Sequence, residues 1–254
     1  MAESSKIVAG ALDQIKKHVK PGISTKELND IAEDYILSHD GRPAFKGYEI
    51  RMKVRTITFP ESICASINNE VVHGIPCSNR FLKDGDIISV DIGVEKNGYF
   101  GDAARTFPVG KISTEAKKLL EITQEALYKG IEQARVGNRL ADISMAIQNY
   151  VEANGFTVVR EYVGHGIGKK MHEDPQVPNY VPYKRNPRLK AGYMLAIEPM
   201  VNIGGYDVNV LDNDWTVVTA DGSLSAHFEH TVAILKDRTL ILTTLDEYEV
   251  PSRR

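Results

Sequence analysis

Four acids and a histidine fall where a soluble strand would rarely tolerate them. Leu82 to Val94 reads LKDGDIISVDIGV and Leu189 to Val201 reads LKAGYMLAIEPMV, so Asp91 in one run falls on Glu198 in the other. A carboxylate inside an apolar, strand-like run is costly to bury without a counter-charge. A second acid follows each run, Asp102 in GDAARTF and Glu229 in HFEHTV, and a histidine precedes each, His73 in HGIP and His172 in HEDP. His165 lies between glycines in VGHGIGKKMH, a setting that implies close backbone approach. Imidazole with carboxylates suits zinc, iron, manganese or cobalt better than calcium, which prefers oxygen alone. One histidine and four carboxylates suffice for two ions if some carboxylates bridge. Such ions sit roughly 3.5–4 Å apart, polarise a scissile carbonyl and share a nucleophile. His73 and His172 then remain as hydrogen-bond partners for a substrate amide and its tetrahedral oxyanion, which is the chemistry of an amide hydrolase.

The elements that must hold these groups also repeat. Gly22 is followed thirteen residues later by Tyr35 and then Ile36, and Gly137 at the same interval by Tyr150 and then Val151. Leu28, Ile31 and Ile36, like Leu140, Ile143, Ile147 and Val151, have helical spacing, and Gly41 and Gly155 end the two segments. Each half reads helix, helix, strands, and supplies a histidine and two acids in the same order. Folded about a pseudo-twofold axis, halves of about 1–112 and 113–245 bring the groups into one central site within a single domain. The N-terminal residues form an amphipathic helix with Ile7, Val8, Ala11, Leu12, Ile15 and Val19 on one side, and Ser24-Thr25-Lys26-Glu27 opens the next helix as a capping box. Thr114 to Ala134 is helical and links the halves. Asn97-Gly98 signals a hairpin that makes Asp91 and Asp102 cross-strand neighbours to within one pleat. Between Glu198 and Glu229 the residues 202–225 form a long insertion. His18 and His39 are expected on the surface. His227 shares the face of Glu229, as support for the site or as packing, and His230 points away. The tail from Pro251 is expected to be loose.

Composition narrows the function class. The chain has 254 residues and a net charge of -3 with interspersed signs, which leaves no electrostatic footprint for nucleic acid or membrane. The N-terminal apolar run is too short and too broken by charge for a signal or a spanning helix. Cys64 and Cys77 lack the pairing of a zinc motif, and a reducing compartment, the cytoplasm, is the simpler reading.

The set VVHGIP, SVDIG, GDAARTF, GHGIGKKMHEDP, LAIEPMV and DGSLSAHFEHT resembles the methionine aminopeptidases of the short, type I class, and the likeness covers Ile7 to Leu245. The resemblance implies an α+β "pita-bread" fold, a pseudo-twofold duplication with a central antiparallel sheet and flanking helices. It implies a dinuclear centre of Asp91, Asp102, His165, Glu198 and Glu229, with Asp102 and Glu229 bridging, His165 and Glu198 completing one metal, and Asp91 the other. His73 and His172 match substrate-contacting histidines, and Glu198 is also the acid/base. The implied reaction removes the initiator methionine from nascent chains at the ribosome when the next residue is small, the enzyme acting as a monomer. Phe59, Cys64 and Trp215 would line a thioether pocket. The sequence departs from the family in the stretch EIRMKVRTIT between Tyr48 and Phe59, and in Met171, which stands where an aromatic is frequent and would soften the pocket. No zinc-binding extension precedes the catalytic core, and the large insertion of the type II class is missing. A proline-specific peptidase shares this chemistry but usually carries a further N-terminal domain. A binding module that has lost its ligands, or a purely structural metal site, leaves the full ligand set and the histidine pair without a purpose.

Overall fold

A computed structural model describes residues 1–51, 54–181, 186–246 and 248–251. Helix α1, Ala2–His18, and helix α2, Thr25–Ser38, pack together over the first sheet. The entry to α2 follows its sequence signal: Glu27 N–H donates to Ser24 Oγ at 3.1 Å, and Ser24 N–H donates to the Glu27 carboxylate at 2.8 Å. This satisfies two of the N–H groups a helix start leaves open, a device worth about 1 kcal/mol. Helices α3, Thr114–Gln133, and α4, Leu140–Ala153, repeat the arrangement over the second sheet. Ser113 Oγ caps α3 by accepting from Ala116 N–H at 3.0 Å, and Arg139 N–H donates to Asp142 at 2.7 Å at the start of α4.

The first sheet is built on the hairpin of strands Ile87–Lys96 and Tyr99–Pro108. Asn97 and Gly98 turn it with φ values of 55° and 77°, the left-handed pair that a two-residue hairpin needs. Strands Arg42–Pro43 and Cys64–Ile67 pair in tandem with the other edge of Ile87–Lys96. Alternation sorts the side chains: Ile88, Val90, Ile92 and Val94 join the core under α1 and α2, and Asp91 takes the opposite face. The second sheet has the order Glu173–Val177, Gly164–Gly166, Met194–Ile197, His230–Ile234, Arg238–Ile241, Tyr248–Pro251. Its Leu195, Ile197, Val232 and Ile234 are buried against Leu119, Ile143 and Ile147 of α3 and α4. Burying each such aliphatic side chain stabilises the fold by roughly 1.5–3 kcal/mol. Pro251 is therefore part of a strand, paired with Arg238, and the expectation of a loose tail fails there. The expected remainder of the tail, 252–254, lies outside the described residues.

The two sheets meet along an antiparallel seam in which residues 102, 104 and 106 face 231, 229 and 227. Glu229 N–H donates to the Ala104 carbonyl at 2.8 Å. On either side a threonine hydroxyl stands in for a backbone partner. Thr231 Oγ1 accepts from Asp102 N–H at 3.0 Å and donates to the Asp102 carbonyl at 2.7 Å. Thr106 Oγ1 likewise accepts from His227 N–H and donates to the His227 carbonyl, both at 2.9 Å. The insertion after Asn202 is ordered. Its strands Val208–Val210 and Val217–Thr219 pair, and the latter adds to Glu70–Val72.

Candidate metal centre

The register of the first hairpin sets the first two acids. Asp91 faces Ala104 and Asp102 faces Gly93, so the carboxylates are diagonal neighbours one pleat apart, as the hairpin signal implies. His165 is in register with Ala196 on the adjacent strand. Its flanking glycines are required by backbone packing. A Cβ on Gly164 would lie 2.4 Å from the Ala196 carbonyl oxygen, and one on Gly166 would lie 2.3 Å from that of Asp174. The close approach implied by those glycines is therefore to neighbouring strands. Glu198 and Glu229 sit just beyond the strands Met194–Ile197 and Ser225–His227. The Glu198 carbonyl accepts from Asn179 Nδ2 at 3.0 Å, and Glu229 is held by the seam.

These side chains converge. His165 Nε2 is 3.7 Å from Asp102 Oδ2 and 3.7 Å from Glu198 Oε1. Its Nδ1 is 2.8 Å from the Gly166 carbonyl, an acceptor only, so Nδ1 carries hydrogen and Nε2 faces the acids. Ligand atoms of Asp102, His165 and Glu229 lie within 4.8 Å of one another, and so do those of Glu198, His227 and Glu229. Separations of this size are what donors around one cation adopt, each bond to the ion being about 2 Å. The decisive observation is that Asp91 Oδ1, Asp102 Oδ1, Glu229 Oε1 and His227 Nε2 are buried with no hydrogen-bond partner among the described residues. Burial and the neighbouring acids raise Asp91 and Glu229 well above the usual carboxylate range. Burial also raises Asp102, against the pull of His165. Burial opposes a charge on His165, but the Asp102 and Glu198 carboxylates outweigh it and raise its pKa. A donor set that holds protons for want of a counter-charge fits divalent cations.

The predicted histidines flank this cluster. His73 has a left-handed φ of 59°, an uncommon conformation for a residue with a Cβ. Its ring lies edge-on to Tyr162, 5.6 Å between centroids. Burial lowers its pKa to about 4. His172 is partly open to solvent, and burial of the rest of its ring, with His165 beside it at 4.4 Å between ring centroids, lowers its pKa to about 4 as well. Both rings are therefore neutral near pH 7.

A cavity of ≈ 290 Å³ opens onto the cluster and is lined by Phe59, Cys64 and Trp215, together with all five predicted ligands and both histidines. Phe59 and Trp215 meet edge to face at 5.2 Å. Trp215 comes from the insertion, where the Asn213 side chain accepts from Trp215 N–H at 3.0 Å and Thr216 N–H at 2.9 Å. Cys64 reaches the cavity because it is paired with Asp91 across the sheet, and both cysteines are free. Met171 does not line this cavity. It is buried in a separate cluster with Ala44 and Ile167, which corrects the expectation that it softens the pocket. The stretch after Tyr48 forms a small hairpin of strands Glu49–Arg51 and Thr56–Thr58, with Met52 and Lys53 outside the described residues. His227 lines the cavity too, its Nε2 3.3 Å from Glu198 Oε2. Its shared parity with Glu229 was the sequence signal for that placement. Both Tyr48 and Phe59, the aromatics on either side of the departing stretch, line the cavity, and Phe45, Ile50, Val72, Tyr162, Val163 and Met200 complete the wall without having been singled out as site residues. Their segments lack a period that would reveal an inward face.

Comparison with known proteins agrees with this chemistry. The model of metallopeptidase family M24 matches residues 1–236. The chain is 57% identical over 243 residues to methionine aminopeptidase 1 of Bacillus subtilis (strain 168), covering 96% of this chain and 94% of that protein. It is also 57% identical over 245 residues to methionine aminopeptidase of Clostridium perfringens, covering 96% and 95%. Among solved structures, methionine aminopeptidase from Thermotoga maritima superposes with a TM-score of 0.91 at 42% identity, covering 96% of this chain and 95% of that one. Prolidase from Pyrococcus furiosus, at 20% identity and a TM-score of 0.73, covers 96% and 63% and shares the fold. With the pita-bread architecture, the converging acids and a family match over nearly its whole length, this chain belongs to metallopeptidase family M24.

Proposed function

We propose that this protein removes N-terminal methionine from nascent polypeptides when the next residue is small, as a monomeric enzyme of the cytoplasm working on chains that emerge from the ribosome. The observation that carries the reading is the apolar Phe59–Cys64–Trp215 wall opening directly onto acids that each bury an oxygen with no hydrogen-bond partner among the described residues. The names of the relatives at 57% identity point the same way. The two free thiols fit a reducing compartment. The chain is read as one catalytic domain of two related halves, about 1–112 and 113–245.

Asp91, Asp102, His165, Glu198 and Glu229 would hold two divalent ions of the cobalt, manganese, iron or zinc group, with Asp102 and Glu229 shared. Bound there, such ions supply Lewis acidity toward the scissile carbonyl and toward water. The protein does the rest. The apolar wall accepts a flexible thioether and excludes water around it. Neutral His73 and His172 offer ring N–H groups to the substrate amide and to the oxygen on which charge develops. Glu198, with one oxygen toward His165 and the other toward His227, takes a proton from water and returns it to the departing amine.

The test is hydrolysis of Met-Ala-Ser and Ala-Pro-Ser by metal-stripped protein before and after manganese or cobalt is added. Metal-dependent release of methionine from the first peptide alone is expected. Cleavage of the second alone assigns a proline-specific peptidase, and silence on both with metal bound leaves a binding role.

A further inference from the structure

Tyr48 lies in two environments at once. Its ring packs against the Phe59–Cys64–Trp215 cluster and against the cluster that holds Met171. Its hydroxyl is 2.8 Å from His172 Nδ1, with the two rings edge-on at 5.4 Å between centroids. The backbone leaves it little freedom. Tyr48 N–H donates to the Phe45 carbonyl at 2.8 Å, Phe59 N–H donates to the Tyr48 carbonyl at 2.9 Å, and Gly47 N–H donates to the Phe59 carbonyl at 2.9 Å. Tyr48 and Phe59 are thus the paired base of the hairpin Glu49–Arg51/Thr56–Thr58, whose Arg55 forms an ion pair with Asp214, next to Trp215.

We propose that Tyr48 is a positioning residue for the reaction: its phenol O–H donates to His172 Nδ1 and so fixes the ring's orientation and puts its one hydrogen on Nε2. This rests on the function proposed above. A neutral imidazole has one N–H and one lone pair, and a phenol can donate or accept; the direction assigned to this 2.8 Å bond makes Nδ1 the acceptor and leaves the hydrogen on Nε2, free for substrate. His172 then serves a substrate oxygen as a hydrogen-bond donor in one fixed pose, the preorganisation on which oxyanion stabilisation depends. The same tyrosine ring forms part of the wall a substrate side chain would touch. Recognition of that side chain and the pose of His172 therefore meet in one residue, so a poorly seated side chain disturbs the catalytic geometry as well as binding.

The test is Tyr48→Phe in the zinc-loaded enzyme, which keeps the ring and removes the hydroxyl. Metal content and melting temperature report whether the variant is intact. With Met-Ala-Ser, kcat is expected to fall about three- to tenfold, the worth of one hydrogen bond, and KM to stay unchanged, as for an interaction strengthened in the transition state. In a His172→Ala background the same change is expected to have no effect on the residual turnover. Nitrogen-15 spectra of histidine-labelled wild-type protein should show His172 Nδ1 unprotonated and Nε2 protonated, with Tyr48→Phe giving a mixture of tautomers. An equal loss in both backgrounds, no loss in either, or a protonated Nδ1 in the wild type overturns the proposal. Failure of the wild type to release methionine would sink the functional reading instead, and the spectra remain decisive without turnover.

Discussion

Replacing Asp102 by asparagine should move stability in opposite directions with and without metal. Asp102 is buried, and its Oδ1 has no hydrogen-bond partner among the described residues. Its raised pKa means that folding without a cation favours the protonated, uncharged form. Asparagine has nearly the same shape and no charge to hold. The metal-free variant should therefore melt no lower than the metal-free wild type at pH 8, and higher if Asp102 there carries its charge. With manganese the order reverses. A cation at a hundred times its dissociation constant stabilises a protein by about 2.7 kcal/mol. For a chain of this size each kcal/mol is worth about 2–4 °C, so the wild type should rise by about 5–11 °C. The variant, lacking a charge shared between both donor groups, should rise little and lose turnover. Differential scanning calorimetry of both proteins, in chelator and in manganese, gives the four melting points needed. A variant that keeps the full manganese-induced rise refutes the bridging assignment, and one that melts far lower in chelator refutes the charge argument.

Asp91, Asp102 and Glu229 are all raised above their unfolded values, so between the ordinary carboxylate range and those raised values the folded protein binds more protons than the unfolded chain. The stability these groups contribute is thus full below the unfolded carboxylate range and is lost as pH rises through it toward the raised values; His73 and His172, lowered from 6.5 to about 4, act in the opposite sense up to pH 6.5, so melting of chelated protein above pH 6.5 should show the decline, and saturating zinc should flatten it. His73→Ala should retain metal by elemental analysis yet lose about 10²–10³ in kcat, the cost of removing one oxyanion donor, whereas loss of metal would move His73 into the ligand set. Trp215→Ala should lower kcat/KM for methionyl peptides about fivefold or more, from roughly 1 kcal/mol of lost apolar contact, and narrow the preference over leucyl peptides; unchanged selectivity would remove Trp215 from the pocket.

Local chemistry in the chain carried much of this architecture. The capping residues at Ser24 and Glu27, the helical spacing of Ile143, Ile147 and Val151, and the Asn97-Gly98 turn act within a few residues and are readable there. The acids were legible because a charge in an apolar strand is anomalous wherever the strand goes. What escaped is what distant segments decide. Trp215 was legible only through the family resemblance, because it reaches the cavity through the strand that the insertion adds to Glu70–Val72, a pairing the residues themselves do not signal. Met171 and Phe45 follow no period, so spacing does not tell which side of a wall each occupies. Tyr48 looks like a loop aromatic until Phe59 is paired with it.

The seam between the sheets has a consequence for the order in which the centre can exist. Its bonds join Asp102 to Thr231 and Thr106 to His227, partners 129 and 121 positions apart. During synthesis the first pair of acids leaves the ribosome long before the second, and the threonine that holds the Asp102 backbone comes later than Glu229. Until residue 231 has been made, Asp91 and Asp102 are a like-charged pair with nothing opposite them, and a captured cation would lack most of its donors. Loading of a metal at this centre would consequently come late, tied to long-range closure that slows folding. An enzyme that trims other chains while they are being made would be unable to act while it is itself unfinished.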